Sequence, residues 1–194
     1  MNFAYVRKAI RLFLIPLRLI IRNMIKRLFL LAGLLFFFCS SRAQFDTLFI
    51  KTNIRRCADS LTHAFKTRNW DVFTRYSYPA LVGALGGKKE FGDYIAGMFN
   101  TIPDSAWKKY EAGKVIQVLK TGGDYQAIIE LNSIIEWQGS RTTNIAYLIA
   151  NSWDGGMFWT FFDSQGDVAA AKLIKPDLDG RLTIPPQIEK KEGL

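Results

Sequence analysis

Residues Tyr125–Trp137 spell YQAIIELNSIIEW. The odd positions (Tyr125, Ala127, Ile129, Leu131, Ser133, Ile135, Trp137) are mostly apolar, while the even positions include Gln126, Glu130, Asn132 and Glu136. A period of two sends successive side chains to opposite faces of an extended chain, so this stretch is a strand with one buried and one wetter face. Its neighbours extend the pattern. A strand near Lys114–Lys120 precedes it across the turn Thr121-Gly122-Gly123-Asp124, and Gln138-Gly139-Ser140-Arg141 turns the chain into a third strand, Thr142–Trp153. Met157–Asp163 is expected as a fourth strand and Val168–Ile174 as a fifth.

Upstream the period changes. Ile50, Ile54, Cys57, Ala58, Leu61 and Phe65 recur at helical spacing and form one apolar stripe. Asn69 suits the cap of a short second helix carrying Trp70 and Phe73, ended by Pro79. LVGALGG is a breaker-rich link, and a third helix carries Phe91, Ile95, Met98 and Phe99 on one side. Helices followed by an antiparallel meander make an α+β layout, with N-terminal helices packed on a curved antiparallel sheet.

The stretch NSWDGGMFWTFFD, residues 151–163, sets the sheet's faces. Asp154-Gly155 or Gly155-Gly156 is expected as a two-residue hairpin loop, because type I′ turns need positive φ at both central positions. Either loop, with the turn at 138–141, puts Ala146, Leu148, Ala150, Ser152, Met157, Trp159, Phe161 and Asp163 on the face of Ile129, Leu131 and Trp137. Tyr147, Ile149, Asn151, Trp153, Phe158, Thr160 and Phe162 take the other. The first face mixes large rings with small residues, which leaves room for a cavity. The second is more apolar than a face in contact with water. Two covers are open: a second copy of the chain, giving a homodimer through Tyr147, Ile149, Trp153, Phe158 and Phe162, or the C-terminal tail with Leu182 and Ile184.

Charge bears on location rather than chemistry. The net charge is +9, but residues 1–43 hold eight Lys or Arg and no acid, against 18 basic and 17 acidic residues in 44–194. A near-neutral body has no general attraction for phosphate backbones, so no nucleic-acid partner is expected. From Met24 the sequence MIKRLFLLAGLLFFFCSSRAQ has a short basic segment, an apolar run from Leu28 to Cys39, and small residues before Gln44. That is the pattern of a secretory signal peptide cut before Gln44, giving a periplasmic or secreted protein that meets the membrane only through this segment. Met24 is then the true start, and residues 1–43 are an over-extended start plus the signal. A rival reading keeps Met1 and a longer membrane-associated leader. The expected body is one domain over 44–176, with a loosely held tail over 177–194. After cleavage Cys57 is the remaining cysteine, so the core rather than a disulfide must supply stability.

LTHAFKTRNWDVFTRYSYPALV, then a third helix, then long strands ending in WTFFD, resembles the nuclear-transport-factor-two-like superfamily of cystatin-like cone folds over roughly residues 46–175. The resemblance implies a curved sheet wrapped around a long helix, often with a cavity in the cone. Members include ketosteroid isomerases, polyketide cyclases and many domains without known activity.

The sequence carries few chemical signals. His63 is the sole histidine and falls off the apolar stripe with Asp59 one turn before it, which a solvated pair explains. One histidine and one cysteine leave too few ligands for a typical zinc site, and no metal or cofactor is expected. GALGGKKEF lacks the spacing and the Ser/Thr of a phosphate loop, and the paired Lys and Arg residues read as solvated faces. Asp163 stands at the end of the face bearing Trp159, where a carboxylate in an apolar pocket can move protons, and Tyr125 on the same face can donate to an oxyanion. Against this, Asp163 opens DSQGD, a turn in which Asp bonds to its own backbone. Three functions are therefore expected in order. The first is binding of a small apolar or amphipathic ligand on a wall of Ile129, Leu131, Trp137, Leu148, Ala150, Trp159 and Phe161. The second is a cofactor-free isomerase, lyase or cyclase using Asp163 with Tyr125. The third is a protein-interaction module working through the outer sheet face.

Overall fold

A computed structural model describes residues 47–193; the expected signal segment lies outside them. Helices pack on a five-stranded antiparallel sheet that does not close on itself, the α+β architecture predicted above. The described part of α1 covers residues 47–66 and buries the predicted stripe: Ile50, Ile54, Cys57, Ala58, Leu61 and Phe65. Asn69 caps α2 (Trp70–Tyr76), its side chain accepting from the Val72 amide at 3.1 Å. The expected link is partly helical instead. Pro79, whose fixed φ and missing donor suit a first helical position, opens α3 (Pro79–Ala84). Gly86 and Gly87, at φ +96° and +109°, then break it. In α4 (Lys88–Phe99) Phe91 and Ile95 are buried, while Met98 turns outward.

The strands are β1 (Trp107–Lys120), β2 (Tyr125–Trp137), β3 (Ser140–Ser152), β4 (Thr160–Asp163) and β5 (Ile188–Gly193). Gln138 and Gly139, both at positive φ, form a two-residue turn that pairs Trp137 with Ser140 and fixes the β2–β3 register. Along β1 the pairing with β2 slips at three places, between Trp107 and Lys109, Ala112 and Val115, and Val115 and Gln117. Each slip adds a residue to β1 alone, and such bulges bend and coil a sheet. Beyond β2, β3 shares its other edge end to end: residues 148–151 pair with β4 and residues 140–145 with β5.

Val168–Ile174 is a helix, α5, not a strand. Asp167 accepts from the amides of Ala169 and Ala170 at its start, and three alanines in the first turns favour helix. The hairpin at 151–163 also differs. Asn151 pairs with Thr160, the register that a Gly155-Gly156 loop requires, but the strands part there and residues 153–159 form a loop. The Asp154 carboxylate organises it, accepting from Ser152 Oγ at 2.8 Å and from the amides of Met157 and Phe158 at 3.1 and 3.0 Å. The Gly156 carbonyl accepts from Asn53 Nδ2 of α1 at 3.1 Å and from Trp159 Nε1 at 3.0 Å, tying helix to loop.

Both predicted faces emerge. On the inner face Ala127, Ile129, Leu131, Ala146, Leu148, Ala150, Trp159 and Phe161 pack with Ile54, Cys57, Ala58 and Leu61 of α1. On the outer face Ile128, Tyr147, Ile149 and Phe162 pack under Tyr78, Ala171, Leu178, Leu182 and Ile184. The tail expected to be loose is thus a strap across the sheet, because its few apolar side chains meet the apolar patch. Lys175 anchors it. This fully buried ammonium lies 2.8 Å from Asp124 Oδ2 and 3.0 Å from both oxygens of Asp177, with the rings of Tyr78 and Trp153 about it. Burial works against its charge, but the Asp124 and Asp177 hydrogen bonds prevail and hold its pKa above the ordinary lysine range. Gln126 completes the anchor, donating to Asp124 and to the Asp177 carbonyl and accepting from the Asp179 amide at 2.8 Å.

Candidate functional site

The wall expected to line a cavity is core. Ile129, Ala150 and Trp159 are wholly buried, Leu131, Leu148 and Phe161 nearly so, and α1 fills the space in front of them. The small residues that suggested room, Ala146 and Ala150, instead admit the helix. Trp137 stands apart at the exposed end of β2. Of the residues expected at a dimer interface, Tyr147, Ile149 and Phe162 lie under the strap, so the apolar face that motivated a second copy is covered within the chain. Phe158 leaves the outer face because it belongs to the loop, and it packs on Tyr76 with ring centroids 5.2 Å apart. Trp153 is half exposed and stacks on Tyr78.

Asp163 and Tyr125 do not come together. Their β3 partners, Leu148 and Ser152, are four residues apart, or about 13 Å along a strand. Asp163 Oδ1 accepts from the Gln165 amide at 2.7 Å, the local turn bond that its sequence context favours. Surrounding protein still pushes its carboxyl above the ordinary range, with the Gln165 bond opposing. The nearby phenol is Tyr110, whose pKa is raised by burial first and by the Asp163 charge second. Tyr110 stacks on Phe65 at 4.0 Å, a packing position. Among the described residues no group of three His, Cys, Asp or Glu is placed to hold a metal ion, and no helix is long and apolar enough to cross a membrane.

The face of α1 turned away from the core meets the free edge of β1 in an open groove of about 950 Å³. Lys51, Arg55, Asp59 and His63 follow one another at four-residue intervals along it, with Arg56 and Ser60 in the adjacent row. Lys114 and Val115 form the opposite lip, supplied by the β1 bulge after Ala112. Gly113 makes that bulge possible: a Cβ there would lie 2.5 Å from Glu130 Cβ and 2.6 Å from Asn132 Nδ2. The Lys114 amide donates to Glu130 Oε2 at 3.1 Å, and Arg55 donates from Nη1 to the Gly113 carbonyl at 2.9 Å, locking helix to strand. Asp59 is the groove's one carboxylate and pairs with Arg55 at 3.2 Å. Lys51 and Lys114 have no ion-pair partner among the described residues. The positive field reaches beyond the groove: Glu111 has its carboxyl lowered first by the Lys109 hydrogen bond, with the charges of Arg55 and Lys66 adding.

In the sequence the Arg55-Arg56 pair reads as a solvated face and neither Lys51 nor Lys114 stands out, since nothing in the chain order joins them. The available signal was the four-residue ladder Lys51, Arg55, Asp59, His63 opposite the apolar stripe. Neither a scan against models of protein families nor a search of curated proteins finds a match to this chain.

Proposed function

We propose that this chain is an exported, non-catalytic binding domain of the nuclear-transport-factor-two-like kind, and that it takes a small amphipathic ligand in the groove between α1 and β1. The observation carrying this reading is the groove itself. It has the size of small-molecule sites, with polar and charged groups converging on it. The filled cone interior and the separation of Asp163 from Tyr125 weigh against an isomerase-like reaction. The bulged, curved sheet around a long helix favours the cone-fold relationship, and the pattern after Met24 favours export. The test is a thermal-shift screen of small amphipathic compounds, followed by amide chemical-shift mapping of each stabilising hit. Shifts are expected in residues 51–63 and 113–115. Shifts centred on Ile129, Leu148 and Trp159, or turnover that depends on Asp163, would overturn the reading.

A further inference from the structure

The groove's charges narrow its ligand, and we infer that it holds an anionic head group, a carboxylate or phosphate, on a short apolar tail. This rests on the groove being the binding site. Lys51, Arg55, Arg56 and Lys114 enter it against the single carboxylate Asp59. Arg55 is held at two points of its guanidinium group, by Asp59 and by the Gly113 carbonyl, while about half of its side chain stays open to solvent. Because it touches the Gly113 carbonyl, Arg55 lies beside Lys114 on the next residue of β1. Lys51 is one helical turn before Arg55 on the same row, so the three cations gather at one end of the groove. No described acid forms an ion pair with Lys51 or Lys114, and the nearby Glu130 carboxylate is engaged by the Lys114 amide. A head group there meets charge-assisted donors from two elements, which bind anions more strongly than neutral donors do.

The other parts set the rest of the ligand. Val115 and the methylene stems of Lys51, Arg55 and Arg56 offer apolar surface next to the cationic end, where a short tail can lie. Asp59, farther along the row, repels a second negative charge and favours one anionic end over two.

The experiment is calorimetric titration of the purified protein with octanoate, octyl phosphate and neutral 1-octanol, repeated on two variants. One variant is Lys51→Glu with Lys114→Glu. The other, Lys172→Glu with Lys191→Glu, makes the same change in net charge at exposed positions outside the groove. At least one anion is expected to bind about tenfold or more tightly than octanol. Binding by both anions makes the site a general anion cradle, and binding by octyl phosphate alone assigns a phosphate head. The groove variant is expected to lose about tenfold or more, the other to stay within about twofold. Equal binding of octanol, equal loss in both variants, or no binding of either anion overturns the inference. If a ligand of another class then shifts the amides of residues 51–63, the groove remains the site and only its anionic character is lost.

Discussion

Replacing Gly156 with alanine tests how the 153–159 loop is locked to α1. Gly156 has φ +84°, and a Cβ there would lie 2.0 Å from Cδ1 of Ile50. Two costs follow. An L-residue in left-handed backbone costs about 1–2 kcal/mol. Ile50 is buried, so its terminal methyl must leave its contacts, a loss comparable to Ile→Val at about 1 kcal/mol. Gly156→Ala should therefore destabilise the fold by about 2–3 kcal/mol. The structure makes a sharper demand on the pair. Ile50→Val deletes the one atom in the way, leaving Cγ1 at a tolerable 3.4 Å. In that background Gly156→Ala should cost only the backbone part, about 1–2 kcal/mol, so the double variant falls about 1 kcal/mol short of additivity. The assay is urea unfolding of the four proteins of the cycle, followed by tryptophan fluorescence, which Trp159 reports through its bond to the Gly156 carbonyl. Additivity to within about 0.3 kcal/mol would show that Ile50 does not rest on Gly156, and the reasoning would fail.

Two other substitutions probe the strap anchor and the groove. Lys175→Met strips the counter-charge from the buried Asp124 and should cost about 3–5 kcal/mol at neutral pH by urea midpoint. Burial alone would raise the Asp124 carboxyl, but hydrogen bonds from Lys175, Thr121 and Gln126 lower it below its ordinary value. A depressed carboxyl stabilises the fold above its unfolded pKa and loses that contribution as pH falls through the folded one. The gap between wild type and Lys175→Met should therefore narrow on acidification below the ordinary carboxylate range, and a pH-independent gap would count against the ion pair. Gly113→Ala should cost about 1–3 kcal/mol in the same assay, and Glu130→Ala should not rescue it, because the Glu130 Cβ that alanine keeps and Asn132 Nδ2 both still obstruct the new methyl.

What the sequence revealed follows from how local each cause is. The α1 stripe and the Asn69 cap depend on neighbours within a turn or two, and both were legible. The β2–β3 register was legible because Gln138-Gly139 admits few turn geometries. Val168–Ile174 misled because VAAAKLI is apolar enough to suit a strand, and its helix depends on the Asp167 cap. The loop at 153–159 was read as a tight turn because Asp154-Gly155 favours one. What reshaped it was the Asp154 carboxylate gathering three donors and α1 bonding the Gly156 carbonyl, contacts that arise only after folding. The strap and the groove were harder still. Leu182 and Lys114 gain their roles from partners more than 30 residues away, and no local spacing encodes those meetings.

β5 has one more consequence. A strand edge with unpaired amides invites pairing with a strand from another molecule, and residues 140–145 of β3 would present such an edge to solvent without their partner. β5 takes that edge and moves the exposed boundary of the sheet onto Glu189, Lys190, Lys191 and Glu192, all open to water. Alternating stretches of like and unlike charge on an outermost strand resist the flat, register-matched stacking from which aggregates grow. The charged segment that adds nothing to the core thus acts as a guard on this side of the sheet, opposing edge-to-edge assembly through β3.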